Sequence, residues 1–413
     1  MRVLVVGPGG REHALVRTLL RSPQAPEVMC APGNAGIRRD ARVLDAPADD
    51  PAALARAARE AAVDLVVVGP EAPLVAGLAD ALAAEGVRCF GPVAAAARLE
   101  GSKAFAKEIM EAAGVPTGAH RVVRTVDEGM AAIAGYPAVI KADGLAAGKG
   151  VVIAQDAAEA RAALADMLEA RRFGDHPVVV EEFLEGDELS LLALCDGRRA
   201  VPLAPARDYK RIGDGDTGPN TGGMGCFSPV PEADAIVERV VATVHQPVVD
   251  ELARRGTPFH GVLYAGLMLA PDGDVKVLEF NTRFGDPETQ VVLPRLRSDL
   301  LALLLAATEP GGLEGAALEW DPRAAVCVVL ASRGYPASSS SGDVISGLDR
   351  LPAGAEVFHA GTAEDGAAVV TAGGRVLGVT ALGDDRAAAR TAAYAAADMI
   401  EFPGSQRRED IAA

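Results

Sequence analysis

The chain has 413 residues with a formal net charge of −17, and 49% of its residues are hydrophobic. The length predicts about two to four domains, the acidic balance argues against a broad nucleic-acid footprint, and no apolar run reaches the roughly eighteen residues of a membrane span. The chain starts with the strand-like MRVLVV, and its five cysteines are scattered without a CxxC pair, so we expect a cytoplasmic protein without membrane or nucleic-acid partners.

Residues 1–100 alternate short apolar strands with alanine-rich helices. This alternation predicts an α/β domain with a parallel sheet covered on both faces. Ligands of such sheets bind at the carboxyl ends of the strands, where the glycine- and proline-rich loops 7–13 and 69–74 fall. The strand candidates are 2–6, 27–31, 64–69 and 87–91, and the helix candidates are 13–21, 52–62, 74–85 and 93–100.

Longer β segments predict a second domain at 101–315. Strands 137–142 and 150–154 flank a glycine loop, 178–184 and 188–194 are expected to form a hairpin, and 261–270 and 275–281 are joined by the turn sequence PDGD. A smaller α/β domain is expected at 316–413, with strands at 325–331, 356–361 and 374–383 and a helix at 385–400.

The loop ADGLAAGKGV at 142–151 is a candidate phosphate-binding segment. It is not a Walker A loop, because Gly144 and Gly148 enclose three residues and Lys149 is followed by Gly150. A glycine loop between antiparallel strands can instead fold over the phosphates of a nucleotide, with Lys149 and the preceding Lys141 supplying charge. An exposed hairpin with a salt-bridged lysine explains the loop, taken alone, about equally well.

The segment VLEFNTRFGDPETQ at 277–290 is a candidate metal site. In an extended strand Glu279 and Asn281 point to the same face. One carboxylate and one amide oxygen suit Mg²⁺, whose remaining ligands would be waters and nucleotide phosphates. A half-buried strand with two solvent-facing polar residues is a less attractive explanation, because Arg283, Asp286 and Glu288 follow immediately.

Two further segments carry weaker signals. In VVVEEFLEGDE at 178–188, backbone groups near Glu182 are placed to lie along an adenine edge, and Glu188 could accept from ribose hydroxyls. Acidic strands of this kind are common, so the segment decides nothing alone. The glycine-rich stretch 208–225 is long and irregular inside a compact domain, which is typical of a functional or a disordered loop, and its alternating charges favour function.

The amino-terminal GPGGREHA does not fit a dinucleotide-binding fingerprint. Glu12 occupies the position of the third glycine, and no acid ends the second strand to bind a ribose, so an oxidoreductase is disfavoured. The turn at Gly9 and Gly10, beside Arg11, still predicts a monophosphate cradle at a helix amino terminus.

Together these segments resemble the ATP-grasp ligases and, within them, the glycinamide ribonucleotide synthetase family. The resemblance runs in order along nearly the whole chain. Its motifs are GPGGREHAL, APGNAG, VGPEAPL, LEGSKAF, IKADGLAAGKGV, VEEFLEGDE, GDTGPNTGGMG, LEFNTRFGDPETQ, SGDVISGL and FHAGT. Two positions depart from the family: Tyr209 stands where a histidine is usual, and the chain ends in RREDIAA.

The resemblance implies an amino-terminal parallel-sheet domain, an ATP-grasp domain with a lid at about 115–187, and a small carboxyl-terminal domain. It implies ligation of glycine to 5-phosphoribosylamine through glycyl phosphate, in purine biosynthesis, by a monomer that uses ATP and Mg²⁺ or Mn²⁺. Such a transfer needs positioning and charge neutralisation more than a covalent nucleophile. Another ATP-grasp ligase, a dehydrogenase and a non-catalytic nucleotide sensor are the alternatives, none of which accounts for all these motifs.

The implied site residues fall into four groups. The metal is assigned to Glu279 and Asn281, and the reaction centre to Arg283, Asp208 and Lys210. The residues assigned to ATP are Lys103, Lys141, Gly144, Gly148, Lys149, Gly150, Glu181, Glu182, Phe183, Leu184 and Glu188. Those assigned to glycine and phosphoribosylamine are Gly9, Gly10, Arg11, Glu71, Asn220, Thr221, Gly222 and Arg283.

Overall fold

The amino-terminal elements form a sheet with helices on both faces. The computed structural model describes residues 1–146 and 150–413. The first elements are β1 Arg2–Gly7, α1 Gly10–Leu20, β2 Glu27–Pro32, α2 Ala35–Asp40, β3 Arg42–Val43, α3 Pro51–Glu60, β4 Leu65–Val68, α4 Glu71–Val75, α5 Leu78–Ala84, β5 Arg88–Phe90 and α6 Ala94–Gly101. The sheet has the order β3-β2-β1-β4-β5 with every pairing parallel, which confirms the predicted parallel sheet.

The near-continuous apolar sequence of β1 follows from burial on both faces. Val3 and Val5 pack into a core that also contains residues of α1 and the central domain. Leu4 and Val6 face the other way, into a core covered by α3 and α5. Successive side chains of a strand point to opposite faces, so both faces of this strand must be apolar.

Two predicted helices differ in detail from those observed. α1 begins at Gly10, three residues before the predicted start. The single helix predicted at 74–85 is two helices, α4 and α5, because Gly77 lies between them with a left-handed φ of 89° that interrupts the helix.

A second unit, within the range predicted for the lid, forms a four-stranded antiparallel sheet, the lid sheet. Its elements, after the long helix α7 Lys103–Ala113, are β6 His120–Val123, α8 Val126–Ala132, β7 Ala138–Ala142, β8 Val151–Ala154, α9 Ala157–Leu168 and β9 Val178–Glu182. The order is β6-β9-β7-β8, and helices α8 and α9 contribute to the core of this unit. The predicted strands on either side of the glycine loop are therefore paired antiparallel as β7 and β8.

The central sheet comes next along the chain. Its elements and neighbours are β10 Asp187–Asp196, β11 Ala200–Pro202, β12 Arg207–Asp208, β13 Arg211–Gly213, β14 Thr217–Asn220, β15 Gly225–Ser228, α10 Pro231–Asp234, α11 Val237–Val240, a π-helical turn Val241–His245, α12 Gln246–Arg254, β16 His260–Leu269, β17 Val275–Asn281, α13 Thr289–Val292, a 3₁₀ turn Leu293–Arg295 and α14 Leu300–Ala307. The sheet order is β11-β10-β16-β17. The hairpin predicted at 261–281 is confirmed as the antiparallel pair β16 and β17.

The hairpin predicted from 178–184 and 188–194 is wrong. β9 pairs with β6 and β7, whereas β10 pairs along all ten of its residues with β16. The chain changes sheets between Glu182 and Asp187. Short-range sequence patterns could not show this, because both strands are apolar enough to find partners elsewhere.

The carboxyl-terminal sheet recruits strands from the middle of the chain. The last elements are β18 Ala324–Ala331, β19 Ser341–Val344, β20 Ala355–His359, β21 Thr362–Asp365, β22 Ala368–Ala372, β23 Arg375–Gly383 and α15 Arg386–Ala397. One sheet has the order β12-β15-β18-β23-β20, and a small sheet has the order β19-β22-β21. Thus the glycine-rich stretch 208–225, which contains the hairpin β13–β14, is fastened at both ends to a sheet of carboxyl-terminal strands. No helix among the described residues is long and apolar enough to cross a bilayer.

Two buried histidines join the first and last domains. The ring of His13 bonds to Asp40 through Nε2 at 2.8 Å, and its Nδ1 accepts the backbone N–H of His359 at 2.8 Å. Burial, and then the charges of His13 and Arg17, lower the pKa of His359 to about 3. Burial likewise lowers the pKa of His13. Both rings are therefore neutral in the folded protein near neutral pH.

This interface predicts a loss of stability in mild acid. The unfolded chain protonates His359 near pH 6.5, whereas the folded chain does so only near pH 3, so the stability is complete above pH 6.5 and falls as the pH drops below it. Between pH 7 and pH 5 this histidine should remove about 2 kcal/mol from the free energy of unfolding. In His359→Asn, urea unfolding should show a pH dependence weaker by about that amount. Equal slopes for the two proteins would contradict the assignment.

Candidate active site

A cavity of about 600 Å³ is lined by residues of the first domain, the lid sheet, the central sheet and the carboxyl-terminal domain. It brings together residues that are up to 364 positions apart in the sequence, from Arg11 to Arg375. The sequence-predicted residues that line it are Arg11, Glu71, Lys103, Lys141, Gly144, Gly150, Glu181, Asp208, Lys210, Asn220, Thr221, Gly222, Glu279, Asn281 and Arg283.

The other predicted residues that the structure describes do not line the cavity. Glu182 is paired at 2.7 Å with Lys276, and Phe183 is exposed. Glu188 does not line the cavity but contacts a residue that does, Lys210. Gly9, Gly10 and Leu184 are not among the lining residues. Gly148 and Lys149 lie outside the described residues.

Glu279 lies at the end of β17 among positively charged side chains. Burial opposes its ionisation, but the charges of Lys210 and Lys141 outweigh this effect and lower the pKa of the carboxyl. Lys103 also acts on Glu279, and its Nζ donates to the carbonyl of Gly144 at 3.0 Å. The carboxylate is thus ionised in a setting that already holds several cations.

Arg283 occupies the junction between the first and central domains. Its guanidinium donates to Glu71 at 3.3 Å, lies 2.9 Å from Glu100, and donates to Asn281 Oδ1 at 3.0 Å. The second oxygen of Glu100 accepts the backbone N–H of Thr282 at 2.7 Å. Burial raises the pKa of Glu100, and Arg283 opposes that rise. The helix α6 therefore sets the position of Arg283 through a buried carboxylate.

Two buried lysines share one carboxylate beside the lid. Glu181 Oε2 lies 3.1 Å from Lys141 Nζ and 3.0 Å from Lys107 Nζ. Lys141 also donates to the carbonyl of Leu278 at 3.1 Å, which ties the lid sheet to β17. Lys107 donates to Thr117 Oγ1 at 2.7 Å. The lysine expected to reach a phosphate is thus held by the acid expected near the adenosine.

The start of the glycine-rich stretch carries a second charged group. Lys210 contacts Glu188 and lies 3.2 Å from Asp208. Burial raises the pKa of Asp208, while the charge of Lys210 opposes the rise. Nearby, the buried Glu288 accepts a hydrogen bond from the Tyr264 hydroxyl at 2.7 Å.

In the amino-terminal glycine loop, the side chain of Glu12 occupies the space beside the glycines. Glu12 is 1% exposed, and its Oε2 accepts the N–H of Gly9 at 2.6 Å. A side chain at Gly69 would overlap the same carboxylate. Arg11 contacts Glu12 and donates to the carbonyl of Phe284 at 3.1 Å. The N–H of Gly9, which was expected to be free for a phosphate, therefore already has a partner.

Sequence reasoning missed several contributors to the site. Glu100 lies in the LEGSKAF segment and Lys107 in the helix α7 that starts within it, but in this region the sequence predicted a role for Lys103 alone. Arg375 is the first residue of β23 and Tyr335 lies in the turn after β18, and neither carries a local signal. Arg375 reaches Asp286 at 3.2 Å and the carbonyl of Gly222. Only the pairing of β18 with β15 brings them to the cavity.

The lid sheet, the central antiparallel sheet and the cavity between them define a protein of the ATP-grasp class. The sequence matches the family described as "Phosphoribosylglycinamide synthetase, ATP-grasp (A) domain" over residues 101–289. A biotin carboxylase of Campylobacter jejuni, only 16% identical, has the same fold, with a TM-score of 0.74 over 98% of this chain and 92% of that one.

The chain belongs to the phosphoribosylglycinamide synthetase family. The N domain of this family matches residues 1–100 and its C domain residues 325–413. The chain is 54% identical to the phosphoribosylamine–glycine ligase of Streptomyces coelicolor, covering 100% of this chain and 99% of that protein. The solved phosphoribosylamine–glycine ligase of Thermotoga maritima is 37% identical, with a TM-score of 0.86 and complete coverage of both chains. The resemblance inferred from the motifs is confirmed.

The filled glycine loop predicts an energetic coupling between Gly69 and Glu12. Gly69→Ala should destabilise the protein by about 1–3 kcal/mol, because the new methyl group overlaps the Glu12 carboxylate. The same change in a Glu12→Ala background should cost much less, and the difference measures the coupling. Urea unfolding of the four proteins tests this, with Gly135→Ala as a control because a methyl group there meets no other atom. Additive costs would exclude the proposed overlap.

Proposed function

We propose that this protein joins glycine to 5-phosphoribosylamine at the expense of ATP, releasing glycinamide ribonucleotide, ADP and phosphate. The observation that carries the proposal is one cavity lined together by Glu279 and Asn281, the lysines Lys103 and Lys141, and the arginine Arg283, with all three cations acting on the Glu279 carboxylate. Relatives of this full length that share about half its residues are named phosphoribosylamine–glycine ligases, which supports the choice of substrates. The reaction belongs to purine biosynthesis.

The charges lining the cavity support a divalent cation. Among the described residues, basic and acidic side chains balance: Arg11, Lys103, Lys107, Lys141, Lys210, Arg283 and Arg375 against Glu71, Glu100, Glu181, Asp208, Glu279, Asp286 and Glu288. The phosphates of ATP would add uncompensated negative charge. Glu279 and Asn281 offer hard oxygen donors, so they fit Mg²⁺ or Mn²⁺. The ion would supply positive charge to the phosphate oxygens.

The lysines and the lid are assigned to the nucleotide. Lys103 and Lys141 line the cavity and are assigned to the phosphates, together with Gly144 and Gly150. Glu181, which is paired with Lys107 at 3.0 Å, holds Lys141 in place at 3.1 Å. The backbone of 181–184 and the side chain of Glu188 are assigned to the adenosine.

The chemistry proceeds in two steps. The glycine carboxylate attacks the γ-phosphorus of ATP, forming glycyl phosphate and releasing ADP. The amine of phosphoribosylamine then attacks the acyl carbon, and phosphate leaves as the amine loses a proton. Arg283 is assigned to the glycine carboxylate and the transferring phosphoryl group, where its charge stabilises the developing anion.

Asp208 and Lys210 are assigned to the second step. A carboxylate with a raised pKa is suited to accept the proton that the attacking amine loses, and burial raises the pKa of Asp208. Arg11, Glu71 and the segment 220–222 are assigned to phosphoribosylamine, at the side of the cavity formed by the first domain and the glycine-rich stretch.

The direct test is phosphate release from ATP. Release should require glycine and phosphoribosylamine together, and omission of either should stop turnover. Glycinamide ribonucleotide should accumulate in proportion to ADP. ATP hydrolysis that ignores both substrates, or that responds to bicarbonate instead of glycine, would overturn the proposal.

Glu279→Gln should abolish turnover without unfolding the protein. It removes the only charged group assigned to the metal, and loss of one electrostatic partner of the transition state costs about 10²–10³-fold. Glu356→Gln is a matched control, because Glu356 is a strand carboxylate paired with Arg21 outside the cavity. Turnover of Glu279→Gln within a few-fold of wild type at saturating Mg²⁺ would refute the metal assignment.

Arg11→Ala should act on one substrate only. If Arg11 contacts the phosphoribosylamine, loss of a charge-assisted bond should raise the KM of that substrate by roughly ten- to a hundred-fold. The KM values of ATP and glycine should hardly change. Because Arg11 also contacts Glu12 and Phe284, the free energy of unfolding is measured in parallel. Equal weakening of ATP and phosphoribosylamine would place the loop at the nucleotide instead.

A further inference from the structure

The last residues of the chain, which do not line the cavity, form hydrogen bonds with the hairpin β13–β14. Arg408 is one of the largest fully buried side chains, at 1% exposure. Its guanidinium donates to Asp216 in the hairpin turn at 2.6 Å and to the carbonyl of Arg211, the first residue of β13, at 3.2 Å. Two oxygens of Asp410 accept its remaining donors at 2.6 and 2.7 Å.

Hydrogen bonds from backbone N–H groups add to these contacts between the tail and the hairpin. Asp410 also accepts the N–H of Gly215 at 2.8 Å, and Asp214 accepts the N–H of Glu409 at 2.8 Å. A carboxylate of the tail therefore accepts an N–H of the hairpin turn, and a carboxylate of the turn accepts an N–H of the tail. A buried arginine with this many partners is costly to leave unpaired, so tail and hairpin are expected to keep one relative position.

The two departures from the family pattern contact each other at this place. The hydroxyl of Tyr209 accepts the N–H of Ala412 at 2.9 Å. The guanidinium of Arg408 lies over the Tyr209 ring, 4.9 Å from its centre. Tyr209 stands between Asp208 and Lys210, both of which line the cavity. A contact made by the tail is thus one residue away from two groups assigned to the reaction.

A second anchor holds the other end of the hairpin. Tyr335 accepts the N–H of Gly222 at 2.9 Å, and Arg375 contacts the carbonyl of the same residue. Arg375 donates in addition to the carbonyl of Asp286 at 2.8 Å. Gly222 follows Asn220 and Thr221, which also line the cavity.

We propose that the carboxyl-terminal segment 408–412 positions the reaction centre by fixing the stretch 208–222, with Arg408 as the central positioning residue. Arg408 touches no substrate; it acts through Tyr209 and the hairpin on Asp208, Lys210 and the segment 220–222. The proposal rests on the proposed function for its kinetic consequence, but its structural consequence is independent of the reaction.

The test compares two adjacent arginines of the tail. Arg408→Gln should lower kcat and raise the KM of phosphoribosylamine, reducing kcat/KM by about ten- to a hundred-fold, the cost of a small misplacement of reacting groups. The KM of ATP should change less than about two-fold, since ATP is assigned to the lid and the lysines. Arg407→Gln is the matched control, because Arg407 pairs with Asp398 and Glu409 and does not contact the hairpin.

Hydrogen exchange supplies a readout that general destabilisation would not reproduce. In Arg408→Gln the amides of 211–221 should exchange faster while the lid and the first domain keep their rates. Asp216→Asn removes the hairpin's side of the ion pair at a side chain that is 68% exposed, so it tests the same contact if Arg408→Gln does not fold. It should shift exchange and kcat/KM in the same direction.

The outcomes separate the two proposals. If wild type turns over both substrates but Arg408→Gln and Asp216→Asn behave like Arg407→Gln, the tail has no positioning role. Faster exchange throughout the chain, or an equal rise in the KM of ATP, would likewise overturn it. If wild type itself does not use glycine and phosphoribosylamine, the proposed function fails, while selective exchange in 211–221 would still support the structural part.

Discussion

The arrangement of the cavity depends on the contacts of the partly buried guanidinium of Arg283. A cation removed from water needs oxygen partners, and here they come from α4, α6 and β17. No one element could supply all of them. The first domain and the central sheet must therefore meet at this side chain, and their meeting creates the cavity. Glu100 is important because it binds both the guanidinium and the backbone next to it.

Other cations of the cavity are likewise paired with carboxylates. Lys141 and Lys107 share Glu181, and Lys210 lies against Asp208 and Glu188, so each cation is held in place before any ligand arrives. Preorganised charges need not reorganise as a phosphoryl group moves, which is where such sites gain rate. This explains how positioning and charge neutralisation can support the proposed two-step transfer.

The cavity also depends on the carboxyl-terminal domain, which holds a loop from the middle of the chain. The stretch 208–225 belongs to the middle of the sequence, yet β12 and β15 are strands of the carboxyl-terminal sheet. The last domain therefore does more than cover the central one: through Tyr335, Arg375 and Arg408 it holds a loop that faces the cavity. A long glycine-rich loop, which would otherwise be mobile, gains a defined path from these partners.

The sequence by itself determined the class of fold, the family and most of the charged residues that line the cavity. Apolar strands alternating with helices dictate a parallel sheet, and motifs such as LEFNTRFGDPETQ carry their side-chain chemistry in a short stretch. Only the tertiary structure decided which strands pair across long separations: β10 with β16 instead of β9, and β15 with β18. It alone brought Glu100, Lys107, Tyr335, Arg375 and Arg408 to their places, and showed Glu12 closing the loop at Gly9. The reason is that local periodicity records which face of an element is buried, whereas the partner that buries it depends on contacts between residues hundreds of positions apart.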